Sequence, residues 1–265
     1  MIDQVMGIIG CQVLEDEMAY VVANDPEVRH VLVIDSTQER TMAGKVQRMA
    51  PDKKVSLFDE QFDIKQFQLT PGLNVIVWVK SIGLHQSPPM LREEVSRSIA
   101  RIEPLAKSIL IFYGQCGNAF RNMEIFCKGV KVPVTILKDK DGAPIDDCYG
   151  TVLGGRDEYR AFLIKQPGPS FVLNTMWLAN WRHFMQEMQM LHDPNDVEEA
   201  KTVFQYMDYK RTVGLNTGLV SDPVFQKQLQ EFATIFGLEI ENHDCTLRIV
   251  DSSYNEAKRC AMMEL

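Results

Sequence analysis

The stretch Asn74–Leu84, NVIVWVKSIGL, carries an unbroken apolar run from Val75 to Val79, mostly β-branched, and then breaks at Lys80, Ser81 and Gly83. Continuous apolar runs of this length mark strands buried on both faces, the pattern of a parallel sheet rather than of a half-exposed antiparallel one. The next segments agree with a parallel sheet. PPMLREEVSRSIARIEPLA (88–106) is an amphipathic helical pattern with proline at its start, and SILIFYG (108–114) is another apolar strand. Strand, helix and strand in this order form a βαβ unit.

The same alternation extends in both directions. Toward the N-terminus stand a strand at MGIIG (6–10), a helix over VLEDEMAYVVAND (13–25) ending before Pro26, and a strand at HVLVIDS (30–36). A helix over TQERTMAGKVQRMAP (37–51) and a short strand at KVSLFDE (54–60) come next. Toward the C-terminus, NAFRNMEIFCKGV (118–130) reads as a helix and VPVTILKD (132–139) as a strand. DKDGAPIDDCYGTVLGGRDEY (139–159), rich in Gly and Asp, reads as a loop with a helix from about Gly155. The remainder repeats the theme. PSFVLNTMWLANW (169–181) is a strand entering a helix, VEEAKTVFQYMDY (197–209) a helix and RTVGLNTG (211–218) a strand. DPVFQKQLQEFATIFG (222–237) is a helix closed by Gly237, and LEIENHDC (238–245) and TLRIVDSS (246–253) are terminal strands before a short helix. The expected fold is α/β: a parallel sheet flanked by helices, in two Rossmann-like halves. Residues 1–150 carry the candidate site, and residues 151–265 form a second half packed against them.

The chain of 265 residues is 45% hydrophobic and 24% charged, ordinary for a globular protein with a sizeable core. Its net charge of -8 disfavours nucleic acid and anionic membrane as partners. No apolar run approaches the roughly 20 residues of a membrane helix. The opening residues, MIDQVMGIIGC, show no basic leader, so the expected location is the cytoplasm. In that setting the six cysteines are expected to be reduced: metal ligands, reactive thiols or core residues.

Ligands of open parallel sheets sit beyond the carboxyl ends of the strands. Cys11, His85 and Cys116 each stand just past a strand there, and Cys148 lies in the Gly/Asp-rich loop. Three thiolates and an imidazole suit Zn²⁺ or an iron–sulfur cluster. The same cysteines also fit as small buried hydrophobes, and one of them as a nucleophile without metal. Cys11 and Cys116 are expected at helix N-termini, where the helix dipole favours the thiolate. Glu15, one helical turn beyond Cys11, is the candidate base, although an acidic residue in a first turn is also favourable in itself. Asp146 and Asp147 read as an outer layer of ligands or as turn formers. Trp177, Asn180 and Trp181 are candidates to wall a small planar ligand, or else core. Cys127 reads as core. Phosphate-loop and G-x-S-x-G motifs are absent. His85 has no Asp two residues before it and no Gly three after, so the corrinoid-carrying Asp-x-His-x-x-Gly signature is absent too.

The blocks GIIGCQVLEDE (7–17), IGLHQSPP (82–89), FYGQCGNAF (112–120), DDCYGTVLGG (146–155), WLANW (177–181) and YKRTVGLNTG (209–218), taken in order, resemble domain-of-unknown-function family 1638. The resemblance implies proteins of methanogens and other anaerobes, often encoded near methyltransferases that use corrinoid proteins. It leads to two expectations of function. One is a metal-dependent methyl-transfer enzyme of anaerobic one-carbon metabolism, its corrinoid supplied by a partner. The other is an accessory protein that binds, delivers or repairs a metal or corrinoid cofactor for a methyltransferase.

Overall fold

A computed structural model describes residues 4–263. In the first half, β1 (Gln4–Cys11), α1 (Glu15–Asn24), β2 (Val28–Asp35), α2 (Met42–Met49), β3 (Lys54–Phe58) and β4 (Leu73–Lys80) lead into α3 (Pro88–Ile102) and β5 (Ser108–Phe112). The chain continues through α4 (Met123–Phe126), β6 (Val134–Ile136) and α5 (Cys148–Leu153). The second half comprises α6 (Arg156–Lys165), β7 (Ser170–Leu173), α7 (Thr175–Glu187), α8 (Val197–Tyr206), β8 (Arg211–Asn216), α9 (Asp222–Phe236), β9 (Glu239–Asp244) and α10 (Arg248–Met262).

Six strands form one sheet in the order β3-β2-β4-β1-β5-β6, every pairing parallel. A smaller parallel sheet runs β7-β8-β9. Helices flank the six-stranded sheet, the α/β architecture expected from the alternating pattern. β4 is buried along its whole length, and β1 from Val5 onward. That double-sided burial is why their runs are apolar without alternation.

The strand order positions the site. The neighbours β4, β1, β5 and β6 deliver, in that order, His85, Cys11, Cys116 and Cys148 beyond their carboxyl ends. Four residues far apart in the chain are thereby set along one edge.

Three local readings are corrected. TLRIVDSS is no strand: residues 248–262 form α10, which buries Ile249, Val250, Ser253, Tyr254, Ala257 and Ala261 at helical spacing. This helix returns to the first sheet, where Ser108 Oγ donates to the Ala257 carbonyl at 2.7 Å. The helix read over 118–130 shrinks to Met123–Phe126, capped by Asn122, whose side chain accepts from the Ile125 amide. Ahead of it Cys116, Gly117 and Asn118 all take positive φ (43°, 65° and 70°), so the backbone turns too tightly for a helix. Cys116 therefore has no helix N-terminus. Cys148, expected in a loop, is instead the first residue of α5, with Asp147 as N-cap.

Candidate functional site

Backbone contacts bring the thiols together. Beyond β5, the Gln115 amide donates to the Ile145 carbonyl at 2.7 Å and the Cys116 amide to the Asp146 carbonyl at 3.2 Å. Asp147 then caps α5, its carboxylate accepting from the Tyr149 amide at 2.8 Å. These bonds hold the 145–147 segment against the end of β5 and fix Cys148 beside Cys116. Their sulfurs lie 3.8 Å apart. Cys11, the last residue of β1, lies near enough to Cys148 for each to shift the other's protonation.

All three sulfurs are buried, and they are not equivalent. Hydrogen bonds from the Cys11 and Cys116 thiols hold Cys148 well below the ordinary thiol range, helped by the Gly114 amide and the His85 charge against the cost of burial. Cys11 and Cys116 are pushed well up by those same hydrogen bonds, by burial and by the negative charge on Cys148. The helix end expected to favour a thiolate at Cys116 is absent, and the downward shift falls on Cys148 instead. Of the three thiols Cys148 is the one held low, because it takes hydrogen bonds from the other two.

Cys11 and Cys148 line a pocket of about 120 Å³ with Val13, Ile82, His85, Asp147, Tyr149, Trp177 and Met188. His85 stands exposed at its mouth, on a short 3-10 turn from Ile82 to Gln86. Cys116 is not part of the lining and lies behind Cys148. Asp147 is raised to about 6, first by burial and then by the Cys148 charge.

The other candidates separate. Trp177 walls this pocket, whereas Asn180 and Trp181 line a different groove of about 430 Å³ between α7 and α9. The cause is a break in α7 at Asn180 (φ -129°, ψ 16°), which parts two tryptophans that four-residue spacing would stack on one face. Glu15 turns to Thr41, which donates to it, and to Lys45 at 3.0 Å, and it does not line the thiol pocket. Burial raises its carboxyl, opposed by Lys45. Cys127 ends α4, half-buried and apart from the three thiols.

Two further residues belong to the site's surroundings. Glu17 is fully buried, neither carboxyl oxygen has a partner among the described residues, and burial and then the Asp16 charge raise it to about 8, with Cys148 contributing. Tyr113 comes directly after β5, its hydroxyl likewise buried and unpartnered, and burial above all pushes that hydroxyl well up. Its sequence signal was its place: β1 and β5 pair Gly10 with Phe112, and Cys11 and Tyr113 are the residues that follow.

Among the described residues no group of three or more His, Cys, Asp and Glu side chains is disposed as a finished metal cage. The arrangement is a cluster of three buried thiols, Cys148 the lowered one, with Cys11 and Cys148 open to a small apolar pocket. Such a group is a nucleophile and a soft donor.

Residues 79–254 match the family described as "Protein of unknown function (DUF1638)". The chain belongs to the DUF1638 family. The matched segment holds His85, Cys116 and Cys148, while Cys11 and the acidic run 15–17 precede it. No curated protein matches the chain. Among solved structures, two mutants of N-acetyl-L-ornithine transcarbamylase complexed with PALAO are similar at 11% and 10% identity. The matches cover 92% and 88% of this chain and 68% and 66% of theirs, each with a TM-score of 0.17. At that score the likeness carries nothing about fold or chemistry. No helix among the described residues is long and apolar enough to cross a membrane.

Proposed function

We propose that this DUF1638 protein binds a soft divalent metal, zinc foremost, through Cys11, Cys116 and Cys148, with His85 as the fourth donor. The observation that carries the reading is the 3.8 Å separation of the Cys116 and Cys148 sulfurs. Zinc–sulfur bonds of about 2.3 Å in tetrahedral geometry set sulfurs about 3.8 Å apart, so this pair already has the edge length such an ion requires. Binding would release the protons of Cys11 and Cys116 and draw His85 inward from the mouth. Three thiols favour zinc over an iron–sulfur cluster, which is usually held by four cysteines.

When bound, zinc keeps a coordinated thiol deprotonated and nucleophilic at neutral pH. The protein's own residues supply the rest. Cys148 is the lowered thiol, Asp147 brings to the pocket a carboxyl raised to about 6, and Trp177, Met188 and Ile82 give it apolar walls. Joined to the family resemblance, this chemistry suits methyl transfer in anaerobic one-carbon metabolism, with a corrinoid protein as partner. The burial of all three sulfurs favours a second reading, an accessory role in which the site is closed by four protein ligands and holds or hands over a metal or corrinoid cofactor.

Metal analysis of protein purified without oxygen, wild type beside Cys148→Ser, tests the metal reading. The expected result is about one zinc per chain, lost in the variant. Wild type that stays metal-free after zinc reconstitution contradicts it. A methyl-transfer assay with a methylated corrinoid protein then separates the two roles: turnover supports the enzyme, and none above background supports the accessory protein.

A further inference from the structure

We propose a further activity for the metal-free site: thiol–disulfide exchange with small organic disulfides, ending in a Cys116–Cys148 disulfide. The sulfurs are those of the metal reading, but no metal takes part.

Access and alignment carry it. Cys148 lines the pocket, so a disulfide entering from solvent meets its sulfur. Cys116 is 2% exposed, is absent from the lining, and stands 3.8 Å from the Cys148 sulfur on the inner side. Displacement at sulfur requires the attacking, central and leaving sulfurs in a line. A group attached to Cys148 from the pocket leaves back through the mouth when Cys116 attacks from behind. Cys11, by contrast, lines the pocket itself. Forming the bond requires the sulfurs to close to about 2.05 Å.

The steps balance. The Cys148 sulfur attacks one sulfur of R–S–S–R, a Cys148–S–S–R bond forms, and R–S⁻ departs and takes up a proton as RSH. The Cys116 sulfur gives up its proton and attacks the Cys148 sulfur, the Cys116–Cys148 bond forms, and a second RSH leaves. Two protein thiols are oxidised and one external disulfide is reduced to two thiols.

The pocket also sets the substrate class. It is small, about 120 Å³, and its walls include Val13, Ile82, Trp177 and Met188. A short apolar or neutral arm fits, whereas a tripeptide such as that of glutathione does not.

The test uses the full chain, stripped of metal without oxygen and exposed to 2-hydroxyethyl disulfide, with peptide mass spectrometry as the readout. Wild type is expected to lose two hydrogens and yield a linked peptide pair containing Cys116 and Cys148. Cys116→Ser is expected to stop at the mixed disulfide on Cys148, and oxidised glutathione to react at least tenfold more slowly. Wild type that keeps all three thiols free, retains the mixed disulfide, or pairs Cys11 with Cys148 overturns the proposal. Zinc content does not enter the readout, so failure of the metal reading and failure of this one are distinguishable.

Discussion

Gly114 and Asp147 pack backbone against backbone: a Cβ at Gly114 would stand 2.8 Å from the Asp147 carbonyl carbon and 2.9 Å from its nitrogen. This approach lets the segment before α5 lie against the end of β5, and the pairing of Cys116 with Cys148 depends on it. Gly114→Ala is expected to destabilise the protein by about 1–3 kcal/mol, because backbone cannot yield as a flexible side chain does. Denaturant unfolding measures the loss. In folded Gly114→Ala, Cys148 should also react more slowly with iodoacetamide near neutral pH, since the Gly114 amide and the Cys116 thiol would move away from its sulfur.

The thiolate assignment predicts an order of reactivity. With iodoacetamide at about pH 6, below the usual thiol range, alkylation should fall first on Cys148, as read by peptide mass spectrometry. Cys11→Ala and Cys116→Ala each remove a hydrogen bond that lowers the Cys148 pKa. Its value should therefore rise and its labelling at that pH slow by about tenfold for each unit of pKa gained. Faster labelling of Cys11 or Cys116 than of Cys148 would count against the assignment.

Glu17 predicts a slope of stability with pH. Its carboxyl is raised from 4.5 to about 8, so the folded chain holds a proton that the unfolded chain releases above 4.5. The stability it contributes is fully present below the unfolded value and is lost as pH rises toward 8. Glu17→Gln, neutral throughout, should flatten this part of the curve and raise Tm most near pH 8. Equal Tm profiles for the two proteins would contradict the burial of an unpaired Glu17 carboxyl.

Asp147 has two separable roles. Asp147→Ala removes the N-cap of α5 and should cost about 1 kcal/mol, whereas Asp147→Asn retains a capping oxygen and should cost little. Both remove a group that titrates at about 6. A pH profile of Cys148 alkylation should therefore lose an inflection near that pH in both variants, while Tm falls only in the alanine variant.

Much of the architecture was legible because burial on both faces leaves an unmistakable residue pattern. Val75–Val79 and the runs around Ile8, Leu32 and Ile109 are strands for that reason. The strand-end positions of Cys11, His85 and Cys116 came directly from those runs. The C-terminal helix was expected, but its start was placed too late because Leu247–Val250 resembles a strand in a short window, and only the longer spacing through Ala257 and Ala261 shows the full α10. The charge state of the site was not legible at all. Which thiol is lowered depends on the hydrogen bonds each takes, and those arise where the ends of β1 and β5 meet the start of α5. Trp177 and Trp181 were read as one wall because helical periodicity assumes an unbroken helix, and a single non-helical residue at Asn180 sends them to different cavities.

Cadmium titration of the reduced protein without oxygen, monitored by sulfur-to-metal charge-transfer absorption in the ultraviolet, tests most directly whether the three cysteines act together. The expected result is saturation at about one ion per chain. Cys11→Ser and Cys116→Ser should each lose at least about a third of the absorption, and Cys148→Ser most of it. Wild type without such a band, or a band unchanged when Cys148 is replaced, would contradict the shared site.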